Sequence, residues 1–404
     1  ASDVYKRQHM QRLPLVLFGA ALALLTGQAA AWGAQGHQIV ASIAQALVHP
    51  DVRAYLCQVL PNTTKYTSPW PVAGVTHCDL APVAGWADQI KWHARWSSPL
   101  HYVNSVGDDP PTTCVFGEHG FVKPDNVISA IGNYSDRAHT QRGEQRDEAL
   151  RFLVHFVGDM HQPLHLVGRA RGGNDILVRY HGHLTSLHSV WDSVLINQRI
   201  MDLHNYTEPL RHAQLESALR GRHYDAYVRW ILAEGLGLER PSAWWPDWTT
   251  WASCRGATMQ ADVPRNQSAC AYVWAEPVHS IACRYAMAPP VPKAGISDVL
   301  GAGPVGLAVT LAEGALRNAM QLTGMAAGWT SGGPPHGIIP NIDTPEYLDP
   351  IFQNKVLEKQ LASAGVRLAA MVNALFWQEA VEKAGSAAEE PEVPTAFDME
   401  SEEL

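Results

Sequence analysis

The sequence predicts an all-α protein with a single, mainly helical domain. Apolar residues recur at helical spacing in most segments, and 46% hydrophobic residues are ample for a globular core. In two segments a histidine precedes an aspartate by four residues, which is about one helical turn. A short hairpin-like excursion near 170–185, with Gly172-Gly173 as its turn signal, is the expected departure from helix.

The first segment has the parts of a secretory signal. Residues 1–9 look like upstream sequence, and Arg12 then precedes an apolar run from Leu13 to Leu25 and an Ala29-Ala30-Ala31 cleavage site. The apolar run is short for a membrane span, and a retained anchor or a core helix is the alternative. We therefore expect the mature protein to begin at Trp32, to be secreted or delivered to a vacuole or lysosome, and to have no stable membrane association.

The central segment, RFLVHFVGDMHQPLH, has the residue types of a metal site. His155 and Asp159 share one helical face, and Pro163 should end the helix by about Gln162. His165 would then swing beside that face. Imidazole nitrogens and carboxylate oxygens are the usual ligands of zinc in such a set.

A second pair follows in LHSVWD, where His188 and Asp192 are again four residues apart. One such pair arises often by chance, but two pairs together with His165 point to a metal centre. The alternative is a pair of packed helices whose core histidines are hydrogen-bonded.

Upstream residues add further candidates. After cleavage, the α-amine and carbonyl oxygen of Trp32 can chelate one ion, with His37 five residues on. Asp88 and Lys91 share a helical face, and His101 follows in LHYVN. Taken singly, the first two sets are better explained as an N-terminal helix with a surface histidine and as an exposed ion pair, and the alternative for the third is a buried strand-like segment.

The chain divides into three parts: 1–31, a domain at 32–377 and an acidic tail at 378–404 that we expect to be disordered. Within the domain, a segment rich in Gly, Ala and Pro at about 289–340 reads as an insertion. Residues from Pro345 to Trp377 have one long helical pattern.

The cysteines favour three disulfides, because an even number in an exported chain is typical of a disulfide framework. Proximity favours Cys57–Cys78, Cys270–Cys283 and Cys114–Cys254, among fifteen possible pairings. No CxxC pair occurs, so a cysteine zinc site is not expected. N-x-S/T sequons, which predict a glycoprotein, stand at Asn62, Asn133, Asn205 and Asn266.

The formal net charge of -9 argues against a basic protein that wraps nucleic acid. It does not exclude a metal-dependent enzyme that acts on phosphates, because bound zinc ions add positive charge that this count omits.

Together the motifs WGAQGH, WAD, LHYVN, FLVHFVGDMHQPLH, GGN and LHSVWD resemble those of the zinc-dependent, single-strand-specific class I nucleases of fungi and plants. That family shares its helical fold with bacterial zinc phospholipase C. The resemblance runs from Trp32 to about Tyr285 and resumes from Tyr347 to Phe376. It implies a monomeric hydrolase with three zinc ions.

The resemblance also assigns residues. Asp88, His101, His155 and Asp159 would hold one zinc; Trp32, His37 and Asp159 the second; and His165, His188 and Asp192 the third. Asp88 would orient the nucleophile and Lys91 would bind a phosphate oxygen. The residues that would meet the base are Tyr102, Asn104 and Asn174, and Asn104 stands where some members have Asp.

The implied reaction is attack on phosphorus by a zinc-generated hydroxide. It would cleave single-stranded DNA and RNA to 5′-mononucleotides and hydrolyse 3′-nucleotides. One alternative is a phospholipase C on the same fold, although those enzymes resemble His-x-x-x-Glu where this chain has Asp192. The other is a non-catalytic secreted glycoprotein that only binds zinc.

Overall fold

The computed structural model describes residues 32–60, 78–219, 221–239, 243–254, 268–291 and 339–385. These residues are mostly helical, and the only sheet among them has two strands, so the predicted all-α class is confirmed. None of the described helices combines the length and the apolar character needed to cross a bilayer. The predicted signal segment and most of the predicted insertion lie outside the described residues.

In the first half of the domain, long helices alternate with short helical turns. They are α1 (Ala34–Leu47), α2 (Pro50–Val59), α3 (Leu80–Val83), α4 (Trp86–Ile90), α5 (Val127–Thr140) and α6 (Glu144–Met160), with 3-10 helices at Arg95–His101 and Pro163–Leu166.

The second half begins with the turn Ala170–Gly173 and the hairpin β1 (Leu177–Tyr180) and β2 (His183–Ser186). Helix α7 runs through Leu187–Ser189, the π-helical turn Val190–Val194 and Leu195–Asp202. The remaining elements are α8 (Ala213–Glu216), α9 (Asp225–Trp230) with the π-helical turn Ile231–Gly235, a 3-10 helix at Trp248–Thr250, α10 (Ser268–Ile281) with the π-helical turn Ala282–Ala286, α11 (Pro345–Gln353) and α12 (Val356–Ala384).

Helix α6 is the centre of the core. Every residue from Ala149 to Met160 is buried, because α1, α5 and α12 pack around the helix. Phe152 stacks on Phe156 with ring centroids 5.3 Å apart, and Tyr134 of α5 lies 4.5 Å from Phe152. A helix that is enclosed on all sides can carry metal-ligating side chains in a fixed position.

Two features of the C-terminal region differ from the sequence prediction. The single helical pattern from Pro345 is interrupted at Lys355, whose left-handed backbone (φ 51°) separates α11 from α12. Helix α12 then continues to Ala384, past position 377, after which the sequence predicts the acidic tail. It continues because Ala380 is buried and Glu379 forms an ion pair with the buried Arg146, 2.6 Å away.

The hairpin is present, but its turn is not at Gly172-Gly173. The strands pair in antiparallel register with Leu177 opposite Ser186, and His181 and Gly182 connect them. Both connecting residues have positive φ (47° and 77°), as the tight two-residue turn of a hairpin requires. Gly172 and Gly173 precede the hairpin, and Gly172 accepts a hydrogen bond from His188.

The disulfide prediction is right for one pair and wrong for two. Cys57 and Cys78 are bonded as predicted, whereas the other pairs are Cys114–Cys283 and Cys254–Cys270. Proximity in sequence failed because α10 carries Cys283 away from its neighbour Cys270, to the loop that contains Cys114.

A substitution at Gly365 tests the contact between α12 and α1. A Cβ at this position would lie 2.4 Å from Ile43 Cγ2, so the side chain of Ile43 would have to move. Gly365→Ala should lower the free energy of unfolding by ~1–3 kcal/mol, although the same change in an exposed helix is stabilising by roughly 1 kcal/mol. Thermal or urea unfolding measures the effect.

The matched control is Gln378→Ala, an exposed position of the same helix, which should leave the free energy of unfolding nearly unchanged. A stabilised Gly365→Ala protein would contradict the close packing of α1 on α12.

Candidate metal centre

The last two turns of α6 form the base of the site. His155 and Asp159 project from the same face, as their spacing predicts, and both side chains are fully buried. Helix α6 ends at Met160, close to the predicted end, and the following 3-10 helix turns His165 back toward Asp159. His165 Nδ1 lies 3.6 Å from Asp159 Oδ1.

Three further imidazoles approach the Asp159 carboxylate. His37 Nε2 from α1 lies 3.4 Å from Oδ1, while His101 Nδ1 and His155 Nε2 lie 2.9 and 3.3 Å from Oδ2. Asp88 borders the same cluster, with Oδ1 3.6 Å from His155 Nε2. Two overlapping sets of donors are present. One contains His37, His155 and Asp159, and the other contains Asp88, His101 and His155. Within each set the donor atoms lie within 4.8 Å of one another.

A further set of donors stands beside the first two. His165, His188 and Asp192 are buried and also offer atoms within 4.8 Å of one another. His188 Nε2 lies 3.1 Å from Asp192 Oδ2 across the first turns of α7, and the rings of His165 and His188 stack with centroids 5.2 Å apart. The two His-x-x-x-Asp pairs of the sequence therefore face one site.

Backbone carbonyls fix the orientation of three imidazoles. Nδ1 of His155 donates to the Ala84 carbonyl oxygen, Nδ1 of His165 to that of His101, and Nδ1 of His188 to that of Gly172, each at 2.7 Å. Because Nδ1 carries the proton, each Nε2 keeps its lone pair free for a ligand. Such outer hydrogen bonds are typical of metal-binding histidines.

Burial and mutual charge set the protonation states. Burial raises the pKa of the Asp159 carboxyl, but His155 and His101 outweigh this effect and hold the pKa well below its usual range. Burial lowers the pKa of His165 to about 3 and raises that of Asp192 to about 6. At neutral pH His165 is uncharged and both carboxylates are ionised, which is the state that binds metal.

The donor set fits a cation for a second reason. Both ring nitrogens of His37, Nε2 of His101 and Oδ1 of Asp159 are buried and make no hydrogen bond within the described residues. Several buried polar atoms without hydrogen bonds in one cluster are rare in folded proteins, and a bound cation would satisfy Asp159 Oδ1 together with one ring nitrogen of His37. Zinc accepts imidazole nitrogen and carboxylate oxygen.

A cavity of about 250 Å³ opens onto the site. Its wall includes the donor residues His101, His165 and His188, and also Lys91, whose Nζ lies 2.7 Å from Asp88 Oδ1. The three candidate substrate residues Tyr102, Asn104 and Asn174 line the same cavity. The side chain of Tyr102 is partly exposed, whereas Asn174 donates to the Arg171 carbonyl oxygen at 2.8 Å.

Trp32 stands at the edge of the site. Its side chain is fully buried, and the next residue, Gly33, donates its N–H to the Asp192 carbonyl oxygen at 2.9 Å. The first residues of the domain are thus attached to the helix that carries His188 and Asp192. Chelation by the Trp32 α-amine stays a prediction, because it needs cleavage after Ala31.

Two residues of the site were not assigned from the sequence. Gln162 donates its side-chain amide to the Asp192 carboxylate and accepts from the Leu164 N–H, so it joins the end of α6 to α7. Gly172 has positive φ (64°), and a Cβ there would lie 2.6 Å from the Leu164 carbonyl oxygen. In the sequence, Gln162 is marked by its place before Pro163, and Gly172 is marked as the first glycine of the GGN motif.

The chain matches a known protein family and several of its members. The family model for S1/P1 nuclease matches residues 32–322. Endonuclease 4 of Arabidopsis thaliana is 31% identical over 74% of this chain and 91% of its own length. Nuclease P1 of Penicillium citrinum is 33% identical over 56% of this chain and 80% of its own, and nuclease S1 of Aspergillus oryzae is 36% identical over 45% and 59%.

The family and these relatives indicate a hydrolase that acts on nucleic-acid ester bonds, in keeping with the helical fold. The chain belongs to the S1/P1 nuclease family, which confirms the resemblance drawn from the motifs.

Gln162 provides a test of the His165, His188 and Asp192 set. Gln162→Ala removes the hydrogen bond that orients Asp192, and losing such an outer contact lowers metal affinity by roughly 10–100-fold. In competition with a chromophoric chelator at pH 7, the affinity for one of the bound metal ions should be lower by that factor. Gln89→Ala, an exposed neighbour of Asp88, should leave the metal affinity unchanged. Equal affinities in both variants would exclude this role for Gln162.

Proposed function

We propose that this chain is a secreted, zinc-dependent nuclease that cleaves single-stranded DNA and RNA to 5′-mononucleotides and also acts as a 3′-nucleotidase. The observation that carries the proposal is the convergence of buried histidine and aspartate donors on one cavity, whose wall also holds Lys91 and Tyr102.

The proposed ligands follow the three donor sets. Asp88, His101, His155 and Asp159 would hold one zinc; Trp32, His37 and Asp159 a second; and His165, His188 and Asp192 a third. Asp159 supports a shared carboxylate, because its Oδ1 lies near His37 and its Oδ2 lies near His101 and His155. When bound, clustered zinc ions lower the pKa of water and neutralise charge on phosphate oxygens.

Asp88 and Lys91 would act on the reacting phosphate. The Lys91 ammonium is buried and lies 2.7 Å from Asp88, so its position is fixed before substrate enters. Lys91 would bind a non-bridging phosphate oxygen, and Asp88 would orient the nucleophile by accepting its proton in a hydrogen bond. Fixed charge beside the developing phosphorane needs no reorganisation during the reaction.

Tyr102, Asn104 and Asn174 would bind the base. Tyr102 offers a partly exposed ring at the cavity, and base stacking on an aromatic side chain contributes ~1–3 kcal/mol without requiring one sequence. In a duplex both faces of each base are covered by neighbouring pairs, so stacking of this kind favours single strands. Asn104 and Asn174 supply amide groups for the base edge.

An oxidising compartment would suit the chain, since its described cysteines form three disulfides. We propose export through the signal at 1–31, followed by secretion or delivery to a vacuole or lysosome. The enzyme would act as a monomer on single-stranded nucleic acids and 3′-nucleotides.

Asp159→Asn tests the shared carboxylate. The amide keeps the size of the side chain but removes the negative charge on which three imidazoles converge. We expect nuclease activity to fall by more than ~100-fold, since loss of an outer contact alone lowers activity roughly 10–100-fold. The control is the exposed Asp125→Asn, which should retain activity. Near-normal turnover by the Asp159→Asn protein would refute the metal assignment.

A substrate panel separates the nuclease from its alternatives. Protein that begins at Trp32 is offered single-stranded DNA, RNA, duplex DNA, a 3′-nucleotide and phosphatidylcholine, with and without a chelator. Because the activity needs bound zinc and an exposed base, we expect 5′-mononucleotides from single strands, slower cleavage of duplex and loss of activity with chelator.

Hydrolysis of phosphatidylcholine alone would instead favour phospholipase C, and zinc binding without any hydrolysis would favour a storage protein. A matched protein that retains residues 1–31 should bind less zinc, since its Trp32 nitrogen is an amide.

A further inference from the structure

A separate group of metal-binding residues lies outside the site described above. Carboxylate, imidazole and sulfur atoms of Asp108, His279 and Cys283 lie within 4.8 Å of one another. Cys283 is bonded to Cys114, so a second sulfur atom lies next to these three donors. None of these four residues is a ligand of the proposed zinc centre, and none enters the proposed reaction.

Two parts of the chain build this cluster. His279 and Cys283 are four residues apart, in α10 and its π-helical continuation. Asp108 and Cys114 come from the loop between Ser105 and Phe121, whose ends are joined by a β-bridge. The disulfide fastens this loop to α10, and the Phe116 and His279 rings pack with centroids 5.3 Å apart.

The Asp108 carboxylate is held in place but only partly satisfied. Its Oδ1 accepts from the Val115 N–H at 3.1 Å and lies 3.0 Å from His279 Nε2. Its Oδ2 is buried and has no hydrogen-bond partner among the described residues. The side chain is completely buried, so an acceptor atom without a partner here is a candidate for an ion.

We propose that reduction of the Cys114–Cys283 disulfide converts this cluster into a zinc site with Asp108, Cys114, His279 and Cys283 as ligands. In the disulfide the sulfur atoms are not thiolates and do not bind zinc. Two thiolates, an imidazole and a carboxylate form a complete four-coordinate set. Zinc–donor distances of about 2.0–2.3 Å place ligand atoms ~3.3–3.8 Å apart. Asp108, His279 and Cys283 already lie within 4.8 Å of one another and need small movements, whereas the sulfur atom of Cys114 must move away from that of Cys283 once their bond is broken.

The conversion balances with a phosphine as the reductant. The S–S bond breaks, phosphorus is oxidised to a phosphine oxide whose oxygen comes from water, and each sulfur takes up one proton. Binding of zinc then displaces both thiol protons. A cavity of about 350 Å³, with Cys114, Tyr272, Glu276 and His279 in its wall, gives the reductant and the ion a path to the disulfide.

The site gives the chain a cross-link in either redox state. Under oxidising conditions the disulfide ties the 105–121 loop to α10. Under reducing conditions a bound zinc would tie the same two segments through the same sulfur atoms. The absence of a CxxC motif does not exclude such a site, because folding rather than local spacing brings the two cysteines together.

Cobalt(II) is the probe for the test, since thiolate ligation gives near-ultraviolet charge-transfer absorption that histidine and carboxylate ligands lack. The full chain is titrated with Co²⁺ before and after reduction with a phosphine, with circular dichroism to follow the helices. We expect no charge-transfer band in the oxidised protein. In the reduced protein we expect a band whose full intensity corresponds to one thiolate-bound Co²⁺ per chain, beyond the Co²⁺ taken up by the histidine and aspartate donors of the proposed zinc centre, and which is lost when Zn²⁺ is added.

Variants distinguish this cluster from the other reduced cysteines. His279→Ala should weaken Co²⁺ binding at the thiolate site by roughly tenfold or more, whereas Glu276→Ala, on the same helix and cavity, should not. Asp108→Asn, which keeps the side-chain shape, provides a second test if His279→Ala fails to fold.

Three outcomes would overturn the proposal. They are no charge-transfer band after reduction, loss of helical circular dichroism on reduction, or unchanged Co²⁺ affinity in either folded ligand variant. Nuclease activity of the oxidised protein is measured separately, so failure here is independent of the proposed function.

Discussion

The Asp159 carboxylate is the interaction on which the rest of the site depends. It is fully buried, yet it stays ionised because imidazoles from three separate segments surround it. A buried negative charge of this kind is costly unless positive or polarised groups compensate it. The helices around α6 are therefore held in one arrangement by electrostatics as well as by apolar packing.

Apolar packing of the surrounding helices is the second contribution to the stability of the site. Helix α6 is enclosed by α1, α5 and α12, so the carboxylate and its imidazoles stay out of bulk water. Carbonyl groups at Ala84, His101 and Gly172 then set the rings at fixed angles. A ligand set held this way loses little conformational freedom when an ion binds. Lys91 and Tyr102 stand at the rim, where a substrate can reach them.

Much of this arrangement was predictable from local sequence. Helical spacing placed His155 with Asp159 and His188 with Asp192, and Pro163 indicated where α6 ends. The motifs as a set indicated the family. These signals are local, because a residue four positions away on a helix is a neighbour in every fold that keeps the helix.

Features that depend on tertiary contacts were not predictable in the same way. The pairing of Cys114 with Cys283 depends on how α10 packs, and the role of Gln162 depends on where α7 lies. Glycine pairs are turn signals, so the sequence favours a hairpin turn at Gly172-Gly173, whereas His181-Gly182 forms the turn. Position 172 requires glycine for another reason, because a Cβ there would collide with the Leu164 carbonyl oxygen.

The hydrogen bond from the Gly33 N–H to the Asp192 carbonyl oxygen has a consequence for biosynthesis. It joins the start of the domain to a segment that the ribosome makes much later. At translation rates of about 5–20 residues per second, the interval between these positions lasts roughly 10–30 s. During that time the Gly33 N–H lacks this acceptor. The full donor set can therefore assemble only after Asp192 has left the ribosome.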